Sequence, residues 1–315
     1  KEYSFCSRFI KMAELIDGVY LNKYLAPQLL KEFKNYKDDF VGLLGKPNKA
    51  ALSADGIRFN KLINNVGFLT NNAAPFTPTK MDFKKTLVEW DKQDTTPTEV
   101  DDAEVRYLNT DKRAQVRMKH TDAWKLGMRN YVMQKLAPEA DALGMPVLRT
   151  TGDVVNGRKK LTYADMIQFW AAVEGLNLHD RGGFNLILCA EHITDLIDDR
   201  AATNNYRDIG IDPKTGKLTR FYTLKLHSNN YNPKYAADGT LKALDAVPVA
   251  SDKNASTFFY APNTVHHVEK VKVIYKPEHL DTRSADPTSE FRLQSYGLTA
   301  KVQEYGFGAI VSGNS

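Results

Sequence analysis

The most informative stretch of this sequence is Phe184-Asn-Leu-Ile-Leu-Cys-Ala-Glu-His-Ile-Thr-Asp-Leu196. It is apolar through Ala190 except at Asn185, as expected for a strand that is buried on both faces of a sheet. The pattern then changes, and Glu191 to Arg200 favours a short helix. A buried strand that leads directly into a helix predicts the centre of a compact domain in which helices and strands are mixed.

The residues on both sides of this stretch extend the same domain. Upstream, Thr162 is predicted to cap a helix whose buried face consists of Met166, Ile167, Phe169, Trp170 and Val173. Downstream, the sequence predicts a loop-rich segment at 228–256 and strands at Phe221 to Leu226, Ser256 to Ala261 and Val271 to Tyr275. We therefore expect one compact α+β domain over residues 145–285.

A long helix is predicted ahead of this domain, over residues 110–137. Asn109 or Thr110 can cap it, and Pro138 ends it. One side of the helix carries a stripe formed by Val116, His120, Trp124, Met128, Tyr131 and Val132. At a rise of about 1.5 Å per residue the helix spans about 40 Å, which suits the spine of an elongated domain.

Residues 55–106 predict a projecting β-hairpin. Its first strand begins at Ile57, its tip contains several Gly, Asn and Pro residues, and its second strand runs from Met81 to about Val100. A two-stranded ribbon is marginally stable alone in water, so we expect the hairpin to lie on another subunit. An ordinary edge hairpin packed on its own domain is the alternative.

The two ends of the sequence predict an arm and a pair of strands. Residues 12–50 carry lysines and little apolar surface, so they predict an arm that depends on neighbours. Met12 resembles a start position, which predicts that the residues before it are an upstream extension. At the other end, Glu290 to Thr299 and Lys301 to Ile310 predict two strands of a sheet.

Composition excludes several classes of protein. The 315 residues are 42% hydrophobic and carry a formal net charge of +5, which is typical of a globular protein and not of a disordered one. There is no apolar run of about 18 residues that could span a membrane, and no dense basic patch of a sequence-specific nucleic-acid binder. The two cysteines, Cys6 and Cys189, form no disulfide framework and favour a reducing compartment.

Motifs for phosphate binding or nucleophilic catalysis are weak. The segment Gly210-Ile-Asp-Pro-Lys-Thr-Gly216-Lys217 lacks the spacing and the final Ser or Thr of a phosphate loop, so it predicts a turn. His120 is interpreted as a half-buried histidine with satisfied ring nitrogens, and His192 as a helix-start residue and not a general base. Cys189 is interpreted as an inert core thiol because it lies in an apolar run.

One set of residues could hold a metal ion. His266, His267 and Glu269 are close together on a predicted strand, where side chains two positions apart point the same way. A metal site needs further ligands, and no spacing in the sequence identifies them. The sequence therefore predicts no catalytic residue, no metal site and no cofactor, and a soluble metal-dependent hydrolase is kept as an alternative only.

The order of the parts resembles the major capsid proteins of tailed bacteriophages, with the Hong Kong 97-type fold. The resemblance covers about residues 12–311 and rests on Leu161 to Val173, Phe184 to Leu196, Phe221 to Asn229, Ser256 to Asn263 and Phe291 to Ile310. It implies an α+β chain with an N-terminal arm at 1–50, an extended loop at 51–106, a peripheral domain with a spine helix at 107–145, an axial domain at 146–285, and return strands of the peripheral domain at 286–315.

The resemblance implies a structural protein and not an enzyme. Copies would form the hexamers and pentamers of an icosahedral shell around a double-stranded DNA genome. The other partners would be a portal and scaffold or decoration proteins, with no membrane involved. The protein would assemble in the bacterial host cytoplasm and reside in the virion. An encapsulin-type nanocompartment shell, which encloses protein cargo, shares the fold and is the first alternative.

Two sets of residues follow as candidates for contacts in such a shell. The apolar tip of the hairpin, with a lysine beside it, predicts contacts with a neighbouring subunit through Phe68, Leu69, Phe76 and Lys80. The lysines of the arm predict non-specific, salt-sensitive contacts with packaged DNA through Lys23, Lys31, Lys34 and Lys37. No cross-linking site is predicted.

Overall fold

The computed structural model describes most of the chain after the arm. The described residues are 40–62, 70–71, 75, 78, 80, 83–101, 112–178, 181–203, 209–229, 231–244, 246–281, 283 and 287–314. The helices are α1 (Lys112–Leu136), α2 (Tyr163–Glu174) and α3 (Ala190–Thr203). The strands are β1 (Leu52–Ser53), β2 (Gly56–Leu62), β3 (Phe83–Glu89), β4 (Asp91–Asp94), β5 (Thr98–Asp101), β6 (Val147–Arg149), β7 (Val154–Val155), β8 (Arg158–Lys159), β9 (Phe184–Cys189), β10 (Ile209–Ile211), β11 (Leu218–Phe221), β12 (Leu224–Asn229), β13 (Lys234–Tyr235), β14 (Lys253–Tyr260), β15 (Thr264–Val268), β16 (Lys272–Lys276), β17 (Thr288–Lys301) and β18 (Phe307–Val311).

The chain divides into two compact units. The described residues of unit 1 come from Lys92–Gly127 and Glu269–Tyr296, and those of unit 2 come from Asp38–Asp91, Met128–Val268 and Gly297–Ser315. The predicted extended loop at 51–106 contributes residues to both units. The division into arm, extended loop, peripheral domain and axial domain therefore stays a prediction.

Unit 2 is built on an eight-stranded sheet in the order β10-β11-β12-β9-β14-β18-β6, with β13 beside β14. The central strand β9 is buried at every position, and it pairs in parallel with β12 and antiparallel with β14. This confirms the buried strand that the apolar run predicted. Its side chains join α2 in a core that includes Phe169, Phe184, Phe221 and Phe258.

Helix α2 forms where the sequence predicted it. The Thr162 hydroxyl accepts a hydrogen bond from Asp165 N, and the Asp165 carboxylate accepts one from Thr162 N, so the first turn is capped in both directions. Met166, Phe169 and Val173 are buried, as predicted. Helix α3 begins directly after β9 and is longer than the predicted Glu191 to Arg200.

The hairpin of β2 and β3 differs from the prediction in its return strand. The two strands pair from Gly56 opposite Glu89 to Leu62 opposite Phe83. The return strand ends at Glu89 and does not reach Val100. The Trp90 indole packs against an apolar cluster that includes Ile57, and its Nε1 donates to Ser53 O at 3.1 Å. The following strands β4 and β5 pair with β17 instead.

The closing strands were predicted correctly in type and wrongly in extent. Strand β17 continues through Lys301, whereas the sequence pattern predicts that this residue begins the next strand. Strand β18 begins at Phe307 and lies between β14 and β6 in the eight-stranded sheet. The reversal between them uses Gly306 at a φ of +85°, where a Cβ would lie 2.9 Å from the Tyr260 side chain.

Unit 1 contains the first part of β17, which runs between two shorter strands. Glu290 and Phe291 of β17 pair with β16 on one edge and with β5 on the other. Alternate β17 residues are buried, and the first part of α1 packs on them: Trp124 Nε1 donates to Ser295 Oγ at 2.8 Å. The predicted helical stripe is confirmed at His120, which is buried.

Candidate functional site

The metal-site candidates do not form a metal centre. His266 is part-buried on β15, and its Nδ1 lies 2.9 Å from Thr299 Oγ1. Burial lowers the His266 pKa. His267 follows it on the strand and therefore faces the other way, with its ring 5.7 Å from that of Trp90, and Glu269 lies beyond the end of β15. Among the described residues there is no group of three or more His, Cys, Asp and Glu side chains that could hold a metal ion.

A histidine, a cysteine and two serines meet inside unit 2, but the arrangement does not suit catalysis. The ring nitrogens of His192 lie 2.7 Å from Ser256 Oγ and 3.0 Å from Ser312 Oγ. Burial lowers the His192 pKa to about 4 and raises the Cys189 pKa to about 11. A nucleophilic cysteine needs a lowered pKa and access to a substrate, and Cys189 is fully buried. The prediction of an inert core thiol agrees with this environment.

The neighbouring ion pairs hold α3 in place. Arg158 donates to both carboxylate oxygens of Asp195, at 2.6 and 2.9 Å. Asp195 also accepts from Leu161 N at 3.0 Å. Burial opposes ionisation of Asp195, but the hydrogen bonds from Arg158 and Leu161 outweigh it and lower the pKa. These groups tie the start of α2 to α3 and are satisfied by one another, so their role is structural.

His120 is satisfied in unit 1 as the sequence predicted. Its Nδ1 lies 2.7 Å from Thr95 Oγ1 and its Nε2 lies 2.9 Å from Thr98 Oγ1. The ring meets Phe291 edge-on at 5.0 Å. Burial lowers the His120 pKa. The histidine connects α1 to the segment that carries β4 and β5, and no signal in the sequence identified the two threonines as its partners.

A cavity of about 670 Å³ lies in unit 2 beside the end of α1. Lys301 lines it, donates to Ala137 O at 2.6 Å, and lies 5.3 Å from the Phe307 ring centre. Burial lowers the Lys301 pKa to about 8. A carbonyl at the C-terminal end of a helix is the place where a lysine ammonium is favoured, so Lys301 acts as a cap for α1 and not as a reactive amine.

The turn prediction at residues 210–217 is confirmed. Asp212 accepts hydrogen bonds from Lys214 N at 3.0 Å and from Thr215 Oγ1 at 2.6 Å. Gly216 follows with a φ of +67°, and its N–H donates to Asp212 O at 2.8 Å. The segment is the connection between β10 and β11, and it has no anion-binding loop.

The contact candidates fall largely outside the described residues. Phe68, Leu69 and Phe76 at the hairpin tip lie outside them, and so do Lys23, Lys31, Lys34 and Lys37 of the arm. Lys80 is described and exposed. All of these contacts stay predictions. No described helix has the length and apolar content that crossing a membrane requires.

The sequence matches no protein-family model and no curated protein. Solved structures do match it. The capsid of cyanophage P-SCSP1u is 11% identical with a TM-score of 0.61, and the match covers 84% of this chain and 85% of that chain. The capsid of Ralstonia phage GP4 is 10% identical with a TM-score of 0.58, and the match covers 87% of both chains. This chain has the phage capsid fold.

The phage capsid fold is shared with a protein of a different kind. The SrpI encapsulin from Synechococcus elongatus PCC 7942, in its holo complex, is 11% identical with a TM-score of 0.57, and the match covers 87% of this chain and 86% of that chain. The predicted α+β class and the resemblance to phage capsid proteins are both confirmed at the level of the fold.

Proposed function

We propose that this chain is the major structural subunit of a phage capsid. Copies of it would assemble into the closed shell that encloses a double-stranded DNA genome. The observation that carries the proposal is the match to capsid chains, which covers 84% and 87% of this chain and 85% and 87% of those chains. A fold alone is compatible with many functions, so the chemistry of the described residues is the second support.

That chemistry favours a structural role over catalysis. His192, Asp195 and Lys301 have shifted pKa values, and each of them is hydrogen-bonded to a partner within the protein. A catalytic group needs contact with a substrate in an accessible cleft. The metal-dependent hydrolase based on His266, His267 and Glu269 has no supporting site among the described residues.

The proposal extends to the partners of the subunit. Copies would form hexamers and pentamers, because a closed icosahedral shell is made of heterologous contacts that close on themselves. A portal would join the shell at one vertex, with scaffold or decoration proteins as further partners. Contacts with the packaged DNA would be non-specific and electrostatic. Assembly would take place in the bacterial host cytoplasm, and the finished protein would reside in the virion.

The experiment is to express the full chain and examine it by size-exclusion chromatography and negative-stain electron microscopy. We expect megadalton shells, rings or tubes. A folded protein that stays at its monomer mass of 35.5 kDa at millimolar concentration and in a crowding agent would contradict the proposal. Circular dichroism on the same sample distinguishes a folded monomer from an unfolded chain.

An encapsulin-type shell is the second candidate, favoured by the match to SrpI at nearly the same TM-score. The two candidates differ in what the particle contains. Particles isolated from the native source and treated with nuclease would retain double-stranded DNA in a phage capsid. Particles that contain a stoichiometric second protein and no nuclease-resistant DNA would identify a nanocompartment.

A further inference from the structure

Strand β16 is an exposed edge of the sheet in unit 1. It pairs with β17, and among the described residues it has no second strand on its other side. All of its residues are exposed, including three consecutive apolar ones: Val273 at 61%, Ile274 at 36% and Tyr275 at 46%. Among the described residues, no second strand therefore covers the outer edge of β16, and its side chains on both faces are exposed.

Such a strand favours pairing with another chain. Its free backbone N–H and C=O groups are a template for a further strand, and Val, Ile and Tyr are residues with high strand propensity. The two lysines at its ends restrict which strand can be added. If two copies of β16 paired antiparallel about Ile274, Lys272 of each would face Lys276 of the other, and directly opposed like charges are destabilising. The edge therefore selects an acidic partner strand.

The opposite edge of the same sheet has the complementary charge. Strand β5 reads Thr98-Glu-Val-Asp101 and pairs with β17 on the side away from β16. Glu99 lies directly opposite Glu290, an unfavourable like-charge pair. Glu290 is compensated by Lys276 at 3.1 Å. A lysine arriving at the outer side of Glu99 would compensate that residue in the same way.

The side chains of β16 and β5 can also be compared face by face, because both strands pair with β17. Directly opposed residues in antiparallel strands point to the same face. Val273 and Tyr275 therefore lie on the same face as their partners Leu293 and Phe291. Val100 lies on that face too, because its partner Ser289 is two positions before Phe291. Lys276 and Glu99 both lie in the row of Glu290 on the other face. Val273 and Tyr275 would meet Val100 on one face, and Lys276 would meet Glu99 on the other face, where Ile274 also lies.

We propose that β16 of one copy pairs with β5 of a second copy and so continues the unit 1 sheet from subunit to subunit. The contact uses different surfaces on the two copies, which is the heterologous type that rings and shells require. This inference rests on the proposed function, since it presumes that copies assemble.

Charge reversal tests the pairing. Lys276→Glu and Glu99→Lys, made separately, should each reduce the yield of particles at least about tenfold, because the clash repeats at every copy of the contact. The double variant Lys276→Glu/Glu99→Lys should restore the yield, since the opposite charges face each other again. Lys214→Glu, in the exposed turn between β10 and β11, is the matched control and should assemble normally. Normal assembly of both single variants would overturn the inference.

Cysteine cross-linking identifies the partner strand. In a Cys6→Ser background, Lys276→Cys with Glu99→Cys should yield covalent dimers and longer ladders from oxidised particles. Within one copy these positions are separated by β17, about 10 Å at two strand spacings, which is too far for a disulfide. Each single variant should stay monomeric.

The outcomes separate the inference from the proposed function. Dimers from Lys276→Cys alone would mean that β16 lies beside β16 of another copy, and normal particles without any ladder would mean that this edge is not a contact. Both results would overturn the inference and leave the shell intact. Failure of the unsubstituted chain to assemble would count against the proposed function itself.

Discussion

The imidazole of His192 is held inside unit 2 by two serine hydroxyls, one from β14 and one beyond β18. Because it is fully buried, the neutral form is favoured and the pKa falls from 6.5 to about 4. Asp195 and Asp165 nearby favour the charged form, and Arg158 disfavours it, but these effects are smaller than that of burial. The histidine therefore connects α3 to β14 and to the residue that follows β18 as a neutral hydrogen-bonding group.

The low pKa predicts a loss of stability in acid. Between pH 4 and 6.5 the unfolded chain binds the proton and the folded chain does not. The contribution of His192 is therefore complete above pH 6.5 and decreases as the pH falls toward 4, by about 3 kcal/mol in all. We expect His192→Gln to flatten this part of the profile of unfolding free energy against pH, measured by urea denaturation of the unassembled chain. His279→Gln, at an exposed position, is the control, and an equal effect in both variants would contradict the assignment.

At the scale of single elements, the start of α2 shows how local sequence determines structure. Thr162 and Asp165 satisfy each other's backbone N–H groups, and Asp165 also accepts hydrogen bonds from Thr151 N at 3.1 Å and Thr151 Oγ1 at 2.7 Å. The cap thus determines where α2 begins, and Asp165 also binds Thr151 from an earlier part of the chain. Since α2 supplies Met166, Phe169 and Val173 to the core, the cap also determines which helix face is buried.

Removal of this cap has a predictable cost. We expect Thr162→Ala to lower the unfolding free energy by about 1 kcal/mol, because one buried N–H at the helix start loses its acceptor. Thr194→Ala in α3 is the matched control: its hydroxyl is exposed and donates to Ala190 O within the helix. That variant should change the free energy by less than about 0.5 kcal/mol. Equal losses in the two variants, measured by urea denaturation, would mean that the capping box is not formed.

The elements that could be predicted are those whose signal lies in consecutive residues. A local pattern indicates which side of the element is buried in three cases: the apolar run of β9, the stripe of α1 and the cap of α2. Pairing between distant elements has no such signal. The departure of β5 from the hairpin to β17 depends on contacts such as Ser289 Oγ with Val100 O, 189 residues apart. The half-buried environment of His120 was predictable because this residue lies on the stripe of α1. Its threonine partners lie in another segment of the chain and could not be predicted.

The position of β16 at the edge of its sheet could not be predicted from the local sequence either. The sequence predicts a strand at Val271 to Tyr275 from its β-branched and aromatic residues, and β16 confirms it with a shift of one residue. Whether a strand is central or at an edge depends on its neighbours in the sheet. The lysines at both ends of β16 are the one local sign, because lysine is a common residue on exposed edges.

At the scale of the whole molecule, the proposed shell subunit would join copies on its lateral edges and face DNA on the inside. The formal net charge of +5 is small for 43 basic and 38 acidic residues, so attraction to DNA depends on where the lysines lie. The sequence concentrates four of them at Lys23, Lys31, Lys34 and Lys37. If these contact phosphates, each releases counterions and contributes about 0.9 to the slope of log affinity against log salt.

We therefore expect a variant with all four arm lysines changed to Gln to bind double-stranded DNA with a salt slope shallower by up to about 3.6. The measurement is fluorescence anisotropy with DNA fragments of unrelated sequence over a series of salt concentrations, and the loss should be the same for each fragment. The matched control changes four exposed lysines elsewhere to Gln, namely Lys85, Lys125, Lys214 and Lys217. Net charge falls equally in both variants, so an equal change of slope would mean that overall charge attracts the DNA and that the arm is not the contact.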